Sequence, residues 1–376
     1  MQVASFSEAL AAKQARMTEL KADENVIGIG VGLLDPSDES KGAALIMYVR
    51  RDLPTAALDA IPKTVATTVE GTTVSVPVRV EQSGEFFSNV FVKQVPDAVA
   101  AWLLDLRSAD PEYTRRVRPV PAGYSIGTPR WSGTAGLIVI NYPAANQLYV
   151  LSNNHVLNND NTTSYTETLQ PGGADGGQSG TDRIGRLDRF VQLQKDSDNY
   201  LDAATAIPLD NGLLDPRYGK RRWVLPGHYV QYRVGWKMVK AGRTTGDVGE
   251  DHDVIVDSVH TDVSVNYGSY GGLGVVAFKD QSIIKSSEPV SLGGDSGSVF
   301  LRKDDRYACA VNFAGPASGQ YGVAFPVNWF MSAFECRVAA PGLRATDEIR
   351  ATVDDPAAFS SEVPDRISKP ENADFR

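Results

Sequence analysis

The sequence of 376 residues contains only two cysteines, Cys309 and Cys336, and only four histidines. A single pair of cysteines cannot supply the disulfide framework that braces small secreted proteins. No apolar run reaches the length that crosses a bilayer, and the first thirty residues lack the uninterrupted apolar core of a signal peptide. These features predict a cytoplasmic protein that is not held in a membrane.

Positive charge is also scarce. The chain has 37 Lys and Arg against 46 Asp and Glu, which gives a net charge of −9. This balance disfavours a dedicated nucleic-acid binder and a protein held on anionic lipid. With 42% hydrophobic and 22% charged residues the composition is that of a globular protein, and the length favours two domains.

The N-terminal third reads as a small α/β accessory domain, which with its linker covers residues 1–125. Ser5 and Glu8 have the spacing of a capping box, and an apolar stretch at 26–33 and alternating valines at 74–80 predict strands. The glycines at 28, 30 and 32 lack the third glycine spacing of a nucleotide loop. Close backbone packing in a strand is the favoured interpretation.

The residue pattern changes after the Pro/Gly-rich stretch at 115–133. From there on, short β-type runs alternate with turn residues. This pattern predicts an all-β region at 126–340, divided by a connector into barrels at about 126–215 and 225–328. The stretch 328–338 reads as an amphipathic helix, and 341–376 reads as a polar, mobile tail. The fold class is therefore mainly β, with two barrels, a small N-terminal α/β domain and a C-terminal helix plus tail.

The strongest chemical signal is the run Gly293-Gly294-Asp295-Ser296-Gly297-Ser298. Glycines on both sides of Ser296 permit a tight turn that exposes its hydroxyl, and the N–H groups of Gly294 and Ser296 can converge as an oxyanion hole. A serine hydroxyl needs a base, usually a histidine that is oriented by a carboxylate.

The base can be sought among four histidines. His228, His252 and His260 read as surface or strand-end residues. His155 differs because an apolar strand runs directly into the polar turn that carries it. Asp202 stands before an apolar stretch, where an unpaired carboxylate would be costly to bury.

The order His155, Asp202, Ser296, their spacings and the G-D-S-G motif together resemble the chymotrypsin-like (trypsin-fold) serine proteases. The match runs from about residue 126 to 340. The phrase Lys240-Ala-Gly-Arg243-Thr-Thr-Gly246 looks like a strand of bacterial streptogrisin and α-lytic-type proteases, and the arrangement is also similar to intracellular narrow-leaf-type trypsin-like proteins.

The resemblance implies a role for each matching residue. Ser296 matches the nucleophile, His155 the base and Asp202 the residue that orients it, while Gly294 and Ser296 match the oxyanion-hole amides. The implied substrate-binding residues are Val290 at the base of the primary pocket, Gly315 and Gly322 at its walls, and the edge segment Phe313, Ala314 and Gly315. Val290 carries no carboxylate for Arg or Lys, so an apolar side chain is expected there.

Three departures from the family pattern matter. The cysteines that usually brace the His and Ser loops are missing, which fits a reducing compartment. At the substrate edge there is no Ser to support the triad carboxylate, and no cleavage-type segment opens the protease region. By resemblance to the bacterial relatives, buried Arg243 is expected to pair with Asp295 and to hold the Ser296 loop.

The prediction is therefore a serine endopeptidase that acts on protein or peptide substrates through an acyl-enzyme. The alternative is a non-catalytic binding or regulatory module on the same fold, and an esterase with the same triad stays open. No metal ligands stand at suitable spacing, no cofactor is expected, and the two cysteines read as buried small side chains. The oligomeric state and the role of the N-terminal domain stay open.

Overall fold

Most of the regular structure in the chain is β-strand. The computed structural model describes residues 3–88, 91–92, 109–346, 348–350 and 355–374. The helices are α1 Phe6–Leu20, α2 Thr55–Ala60, α3 Pro111–Thr114, α4 Asn154–Leu157 and α5 Val327–Ala333. The strands of the first half are β1 Val26–Leu33, β2 Ala43–Val49, β3 Thr64–Val69, β4 Thr72–Glu81, β5 Phe86–Ser88, β6 Phe91–Val92, β7 Val120–Ala122, β8 Ser125–Ile126, β9 Trp131–Thr134, β10 Leu137–Asn141, β11 Leu148–Ser152, β12 Glu167–Leu169 and β13 Arg183–Phe190. Those of the second half are β14 Ala204–Pro208, β15 Leu214–Tyr218, β16 Gly227–Tyr229, β17 Met238–Gly242, β18 Gly246–Val248, β19 Val254–Asn266, β20 Val275–Ser286, β21 Val299–Arg302, β22 Ala308–Gly315, β23 Tyr321–Pro326, β24 Cys336–Ala340, β25 Arg344–Ala345, β26 Glu348–Arg350 and β27 Glu371–Asn372.

Two sheets contain most of these strands. An eight-stranded sheet runs in the order β12-β13-β14-β11-β10-β24-β25, with β27 added beside β13. A fourteen-stranded sheet has the path β18-β17-β21-β22-β23-β20-β19-β1-β2-β4-β3, with β5, β16 and β26 beside it. Each sheet covers an apolar core, and the predicted fold class, mainly β, is confirmed.

The N-terminal helix begins as the sequence predicts. The Ser5 hydroxyl accepts the Glu8 N–H at 3.2 Å, and the Glu8 carboxylate accepts the Ser5 N–H at 2.7 Å, which completes a capping box. Helix α1 packs on β1, β2 and β3 over a core of small and branched side chains. The domain boundaries remain predictions.

The glycines of β1 allow its backbone to approach β19. A Cβ added to Gly30 would lie 2.2 Å from Thr261 Oγ1, and one added to Gly32 would lie 2.3 Å from the Asp257 carbonyl oxygen. The two strands pair antiparallel, with Gly28 opposite Val263. These glycines therefore allow close packing of the two backbones. Through its pairing with β19, β1 connects β2, β4 and β3 to the rest of the fourteen-stranded sheet.

The C-terminal part differs from the sequence-based expectation. The predicted helix at 328–338 ends at Ala333, Glu335 takes a positive φ of 51°, and Cys336 begins strand β24. This strand pairs with β10, with Val338 opposite Val139, so the available edge of the sheet outweighs local helix propensity.

The tail was expected to be mobile, but its described part is packed. Phe359 and Ser360 are buried, the Trp329 Nε1–H donates to the Ser361 carbonyl at 3.1 Å, and β27 pairs with β13. The tail is held by contacts with strand β13 and with Trp329, which are distant in sequence. The composition of the tail does not reveal these contacts.

Two further findings bear on the class of protein. In the described ranges, no helix is both long enough and apolar enough to span a membrane. Cys309 and Cys336 are free and buried, as their sequence surroundings predict, and burial raises the pKa of the Cys336 thiol to about 12.

Candidate active site

His155 and Asp202 meet at one end of the eight-stranded sheet. Strand β11 runs into α4, which carries His155, and Asp202 stands just before β14. Because β11 and β14 pair antiparallel, with Ser152 opposite Ala204, the end of one strand lies beside the start of the other. The predicted contact is confirmed: His155 Nδ1 is hydrogen-bonded to Asp202 Oδ2, and the His155 backbone N–H donates to Asp202 Oδ1 at 3.3 Å.

This contact fixes the tautomer of the imidazole. An ionised carboxylate only accepts hydrogen bonds, so Nδ1 is the donor to Asp202, and in the neutral imidazole Nε2 is then the acceptor. Both side chains are fully buried. The arrangement therefore leaves His155 Nε2 able to take a proton.

A tyrosine donates to the same oxygen of the Asp202 carboxylate. The Tyr267 hydroxyl, at the end of β19, donates to Asp202 Oδ2 at 2.6 Å, and its ring packs edge-on against the His155 ring. Burial and the charge of Asp202 raise the pKa of Tyr267 well above its ordinary value, so the phenol stays protonated. Sequence analysis missed this residue, because nothing local marks one of 14 tyrosines.

Ser296 lies in a loop that only glycine can shape. Gly294 has a φ of +100°, and an added Cβ would lie 2.5 Å from Thr244 Oγ1. Within the described part of the chain we find no acceptor for the N–H groups of Gly294 and Ser296, so both are available to an oxyanion.

Strand β9 connects the Ser296 loop with the His155 helix. The Thr134 N–H donates to the Ser296 carbonyl at 2.8 Å. A Cβ added to neighbouring Gly133 would lie 2.6 Å from Val156 Cγ2 and 3.1 Å from the Ser296 carbonyl oxygen. The His155 helix and the Ser296 loop therefore both approach the face of Gly133 where a side chain would stand.

The predicted hydrogen bond between His155 Nε2 and Ser296 Oγ is not formed. Ser296 Oγ donates instead to the Phe313 carbonyl at 3.2 Å, and His155 Nε2 has no hydrogen-bond partner in the described residues. Catalytic hydrogen bonds are often loose without substrate, and a serine hydroxyl reorients by rotation about χ1.

Asp295 has a different cation from the one expected. Asp295 Oδ1 accepts the N–H groups of Thr244 and Thr245 at 3.0 and 3.1 Å, and Lys240 Nζ lies 3.5 Å away. Burial lowers the pKa of the Lys240 ammonium, and Asp295 opposes that shift.

Arg243 is buried, as predicted, but its salt bridge is with Asp175. Its guanidinium also donates from Nε to Asp175 Oδ2 at 3.0 Å. The prediction that Arg243 is the salt-bridge partner of Asp295 is therefore wrong, because Lys240, three residues earlier, lies fully buried beside that carboxylate. The sequence signal that could have identified this ion pair is a lysine within the otherwise apolar strand β17, because a buried lysine needs a charged partner.

The remaining site residues lie on β22, β23 and the segment before Ser296. Phe313, Ala314 and Gly315 end β22, Gly322 lies on β23, and Val290 is buried in an apolar cluster. The role of each in binding substrate remains a prediction.

Asn312 is a polar neighbour of these positions that sequence analysis missed. Its Nδ2 donates to Ser291 Oγ at 2.9 Å and to the Asp295 carbonyl at 3.3 Å, which fixes the orientation of the amide. Its buried Oδ1 has no hydrogen-bond partner in the described residues and would lie 2.8 Å from a Cβ at Gly322.

His228 is not at the surface, which corrects the prediction. It is fully buried on β16, which runs parallel to β22 and β26, and its Nε2 is hydrogen-bonded to Asn328 Oδ1 at 3.2 Å. Among the described residues, no group of three or more His, Cys, Asp or Glu side chains is placed to hold a metal ion.

No family model and no curated protein matches the chain. Among solved structures, a glutamic-acid-specific serine protease that uses a histidine triad in substrate binding is 19% identical, with a TM-score of 0.39, and the match covers 58% of this chain and 100% of that one. The protease NAPase of Nocardiopsis is 16% identical (TM-score 0.39; 59% of this chain, 99% of that one), and so is the chymotrypsin of Cellulomonas bogoriensis (TM-score 0.40; 59% and 98%). A likeness of this degree extends no further than the fold.

Proposed function

We propose that the chain is a serine endopeptidase that hydrolyses peptide bonds through an acyl-enzyme. The observation that carries this proposal is the buried hydrogen bond between Asp202 and His155, together with a His155 Nε2 that has no hydrogen-bond partner in the described residues. The available N–H groups of Gly294 and Ser296 in the same loop supply the second requirement of acyl transfer, donors for a developing oxyanion.

In this mechanism the Ser296 hydroxyl turns from the Phe313 carbonyl to His155 Nε2. His155 accepts the proton as Ser296 Oγ attacks the substrate carbonyl, and the negative oxygen forms hydrogen bonds with the two amides. Asp202 stabilises the resulting imidazolium and holds the ring, and Tyr267 holds Asp202. His155 then gives the proton to the leaving amine, and water hydrolyses the ester.

The primary pocket is proposed to take a neutral, medium or large side chain. Val290 offers no carboxylate to Arg or Lys, and Gly315 and Gly322 contribute no side chains at the walls. The Asn312 carbonyl oxygen beside Gly322 would add a hydrogen-bond acceptor to this pocket. Cleavage after Arg or Lys in a peptide library would contradict this specificity.

A cytoplasmic location is proposed on the state of the thiols. Cys309 and Cys336 are free and buried on separate strands, so no disulfide joins the strands of the barrels. Fractionation of the native source with an antibody against the chain tests the location.

The decisive experiment for activity is labelling with a fluorophosphonate probe. Wild type should be labelled at Ser296 and should release products from a peptide library, whereas Ser296→Ala should do neither. A matched control is Ser291→Ala, which removes a nearby buried hydroxyl outside the reacting groups and should keep the labelling.

A second candidate is a binding or regulatory module on the same fold. The hydrogen bond from Ser296 Oγ to the Phe313 carbonyl favours it, because the hydroxyl is engaged away from His155. Absence of labelling in a folded wild type, at every pH where the chain is folded, would favour this candidate.

A further inference from the structure

The hairpin that joins β19 to β20 carries a tyrosine to the His155 ring. Tyr270, at the tip of this hairpin, lies edge-on to the imidazole, with the two ring centroids 6.4 Å apart. The same ring lies edge-on to Trp131 at 6.0 Å and tilted against Tyr267 at 6.2 Å. Aromatic pairs are attractive in such arrangements and at such distances. Tyr270 is therefore packed among three rings, one of which is the proposed base.

The tip also contacts the surroundings of the helix that carries His155. The Trp131 Nε1–H donates to the Val156 carbonyl at 3.1 Å, so the indole against which Tyr270 packs is tied to α4. A Cβ added to Gly271 would lie 3.0 Å from Asn161 Cβ, in the turn that follows α4. The hairpin tip therefore reaches from the fourteen-stranded sheet across to α4 and its turn.

The backbone of the tip does not hold it to α4. Each backbone hydrogen bond that residues 268–272 form with described residues stays within the hairpin, such as the one from the Gly272 N–H to the Ser269 carbonyl at 3.1 Å. A Cβ added to Gly268 or Gly272 would meet nothing within 4 Å, so this part of the tip faces open space. The connection with α4 is therefore made by packing, in which the Tyr270 ring has the largest surface.

The base of the tip is closed and flanked by glycines. The Tyr267 N–H donates to the Gly274 carbonyl at 2.7 Å, and the Gly274 N–H donates to the Gly268 carbonyl at 3.1 Å. Gly268 and Gly274 have φ values of 57° and 63°, and glycine changes such angles at little steric cost. The tip can therefore swing about its base while the Tyr267 hydroxyl keeps its hydrogen bond with Asp202.

We propose that residues 268–272 form a lid on His155, and that the Tyr270 ring must leave the imidazole before a peptide substrate binds. This inference rests on the proposed function and adds to it a closed and an open state of the same site. His155 has a relative exposure of 0%, whereas an endopeptidase must bring a peptide carbonyl and a leaving amine within reach of that ring. The structure therefore holds the closed state.

The lid makes substrate binding depend on an opening equilibrium. Each edge-on aromatic contact contributes a factor of about 2 to 10 to an equilibrium constant, so the contacts of Tyr270 with His155 and Trp131 favour the closed state. A substrate binds only the open fraction, and its apparent affinity falls by that fraction. Because the lid is open in every complex that reacts, it should raise KM and leave kcat unchanged.

The first test compares Tyr270→Ala with Tyr270→Phe in fluorophosphonate labelling of Ser296 and in peptide hydrolysis. Tyr270→Ala removes the ring, so labelling should be about tenfold faster and KM about tenfold lower, with kcat unchanged. Tyr270→Phe keeps the ring and is the matched control, in which the labelling rate and KM should stay within about twofold of wild type.

The direction of the change separates a lid from a structural support. If Tyr270 only supported His155 by packing, its removal would slow labelling, and damage to the fold would do the same. Labelling of Tyr270→Ala at the rate of wild type, or more slowly, therefore overturns the lid.

A reversible disulfide lock tests the same inference in the opposite direction. A small shift brings the Cβ atoms at Asn161 and Gly271 to the roughly 3.5–4.5 Å separation of a disulfide, and the native cysteines are buried and do not compete. The double variant Asn161→Cys, Gly271→Cys should be labelled at least about 100-fold more slowly when oxidised than when reduced. Both forms lack the Asn161 amide, so its loss does not affect the comparison.

The two single variants are the controls for the lock. Neither can form the disulfide, so each should be labelled equally fast with and without dithiothreitol. Equal labelling of the oxidised and reduced double variant, with the disulfide verified by intact mass, would contradict the lid.

The outcomes also separate the lid from the proposed function. If wild type is labelled at Ser296 and Tyr270→Ala is labelled no faster, the lid is wrong and the protease proposal stands. If neither wild type nor Tyr270→Ala is labelled while both remain folded, the protease proposal fails, and the lid fails with it.

Discussion

Two buried histidines lie in different parts of the molecule and have opposite surroundings. His155, beside the eight-stranded sheet, is bonded to the Asp202 carboxylate, whereas His228, in the fourteen-stranded sheet, is bonded to the neutral amide of Asn328. Both have a relative exposure of 0%. Burial lowers the pKa of His228 to about 4, and nearby Arg337 acts in the same direction.

The difference shows that burial alone does not let an imidazole accept a proton. A buried ring without a carboxylate stays neutral and fills space, because the imidazolium would lose its hydration without compensation. Asp202 can compensate that charge, because its carboxylate lies directly against the His155 ring and its other side-chain partner, the Tyr267 hydroxyl, is neutral. In the proposed function this makes Asp202 the group that distinguishes the two sites.

Asp202→Asn would give His155 the kind of partner that His228 has, and we expect the largest effect from it. The amide would offer an N–H to Nδ1 and favour the wrong tautomer, so kcat/KM should fall about 10⁴-fold. Peptide hydrolysis and thermal melting measure the change, and His228→Asn, remote from the reacting groups, is the control for activity. A loss below about tenfold would contradict the role given to Asp202.

We expect the second largest effect from Lys240→Met. Lys240 is the buried cation beside the Asp295 carboxylate, and the substitution removes it. Removing one member of a buried ion pair leaves an uncompensated charge, and unfolding free energy should fall by about 3–5 kcal/mol. Labelling of Ser296 should fall too, since Asp295 accepts three backbone N–H groups around the Ser296 loop.

Lys237→Met is the matched control for that change. Its ion pair with Asp253, at 2.8 Å, is more than half exposed, so the loss should not exceed about 1 kcal/mol. Equal losses for the two variants, in urea denaturation, would mean that Lys240 does not stabilise the loop.

The pH dependence of the unfolding free energy tests whether His228 is buried without charge compensation. Its folded pKa of about 4 lies below the ordinary 6.5, so between these values the unfolded chain binds more protons. Stability should therefore fall as the pH drops from 6.5 to 4, by about 3 kcal/mol from this residue. Urea denaturation of wild type and His228→Gln across this pH range isolates the contribution of His228 to the unfolding free energy. The two chains have the same carboxylates, so the effects of carboxylate titration cancel in the comparison.

Asn328→Asp makes the opposite change and should raise the pKa of His228. The loss of stability between pH 6.5 and 4 should then be smaller than in wild type. A loss as large as that of wild type would show that a carboxylate at this position does not compensate the imidazolium.

Tyr267→Phe should have the smallest effect. The variant keeps the ring against His155 but removes one hydrogen bond to Asp202, so kcat/KM should fall about tenfold. Asp202 would then interact more strongly with the imidazolium, and the acidic limb of the pH–rate profile should move to higher pH. An unchanged profile would assign Tyr267 to packing alone.

Much of the fold could be predicted because its signals are local. The capping box at Ser5 and Glu8, the apolar stretch of β1 and the short β-type runs each depend on neighbours in sequence. The end of α5 and the packing of the tail could not be predicted, because both depend on sheet edges and apolar surfaces that distant residues create.

The sequence by itself determined the reactive groups and the loop that carries Ser296. Gly294 must adopt a positive φ with no room for a side chain, and a carboxylate before a buried strand needs a partner, which is His155. These requirements are set by residue type, so they are visible without coordinates.

Only the tertiary structure decided which residues support those groups. Lys240 on β17 and Tyr267 directly after β19 are far from Ser296 or Asp202 in sequence. Strand register brings them there, and a shift of one residue would turn each side chain to the opposite face. Register is a property of the whole sheet, and therefore no local pattern in the chain reveals it.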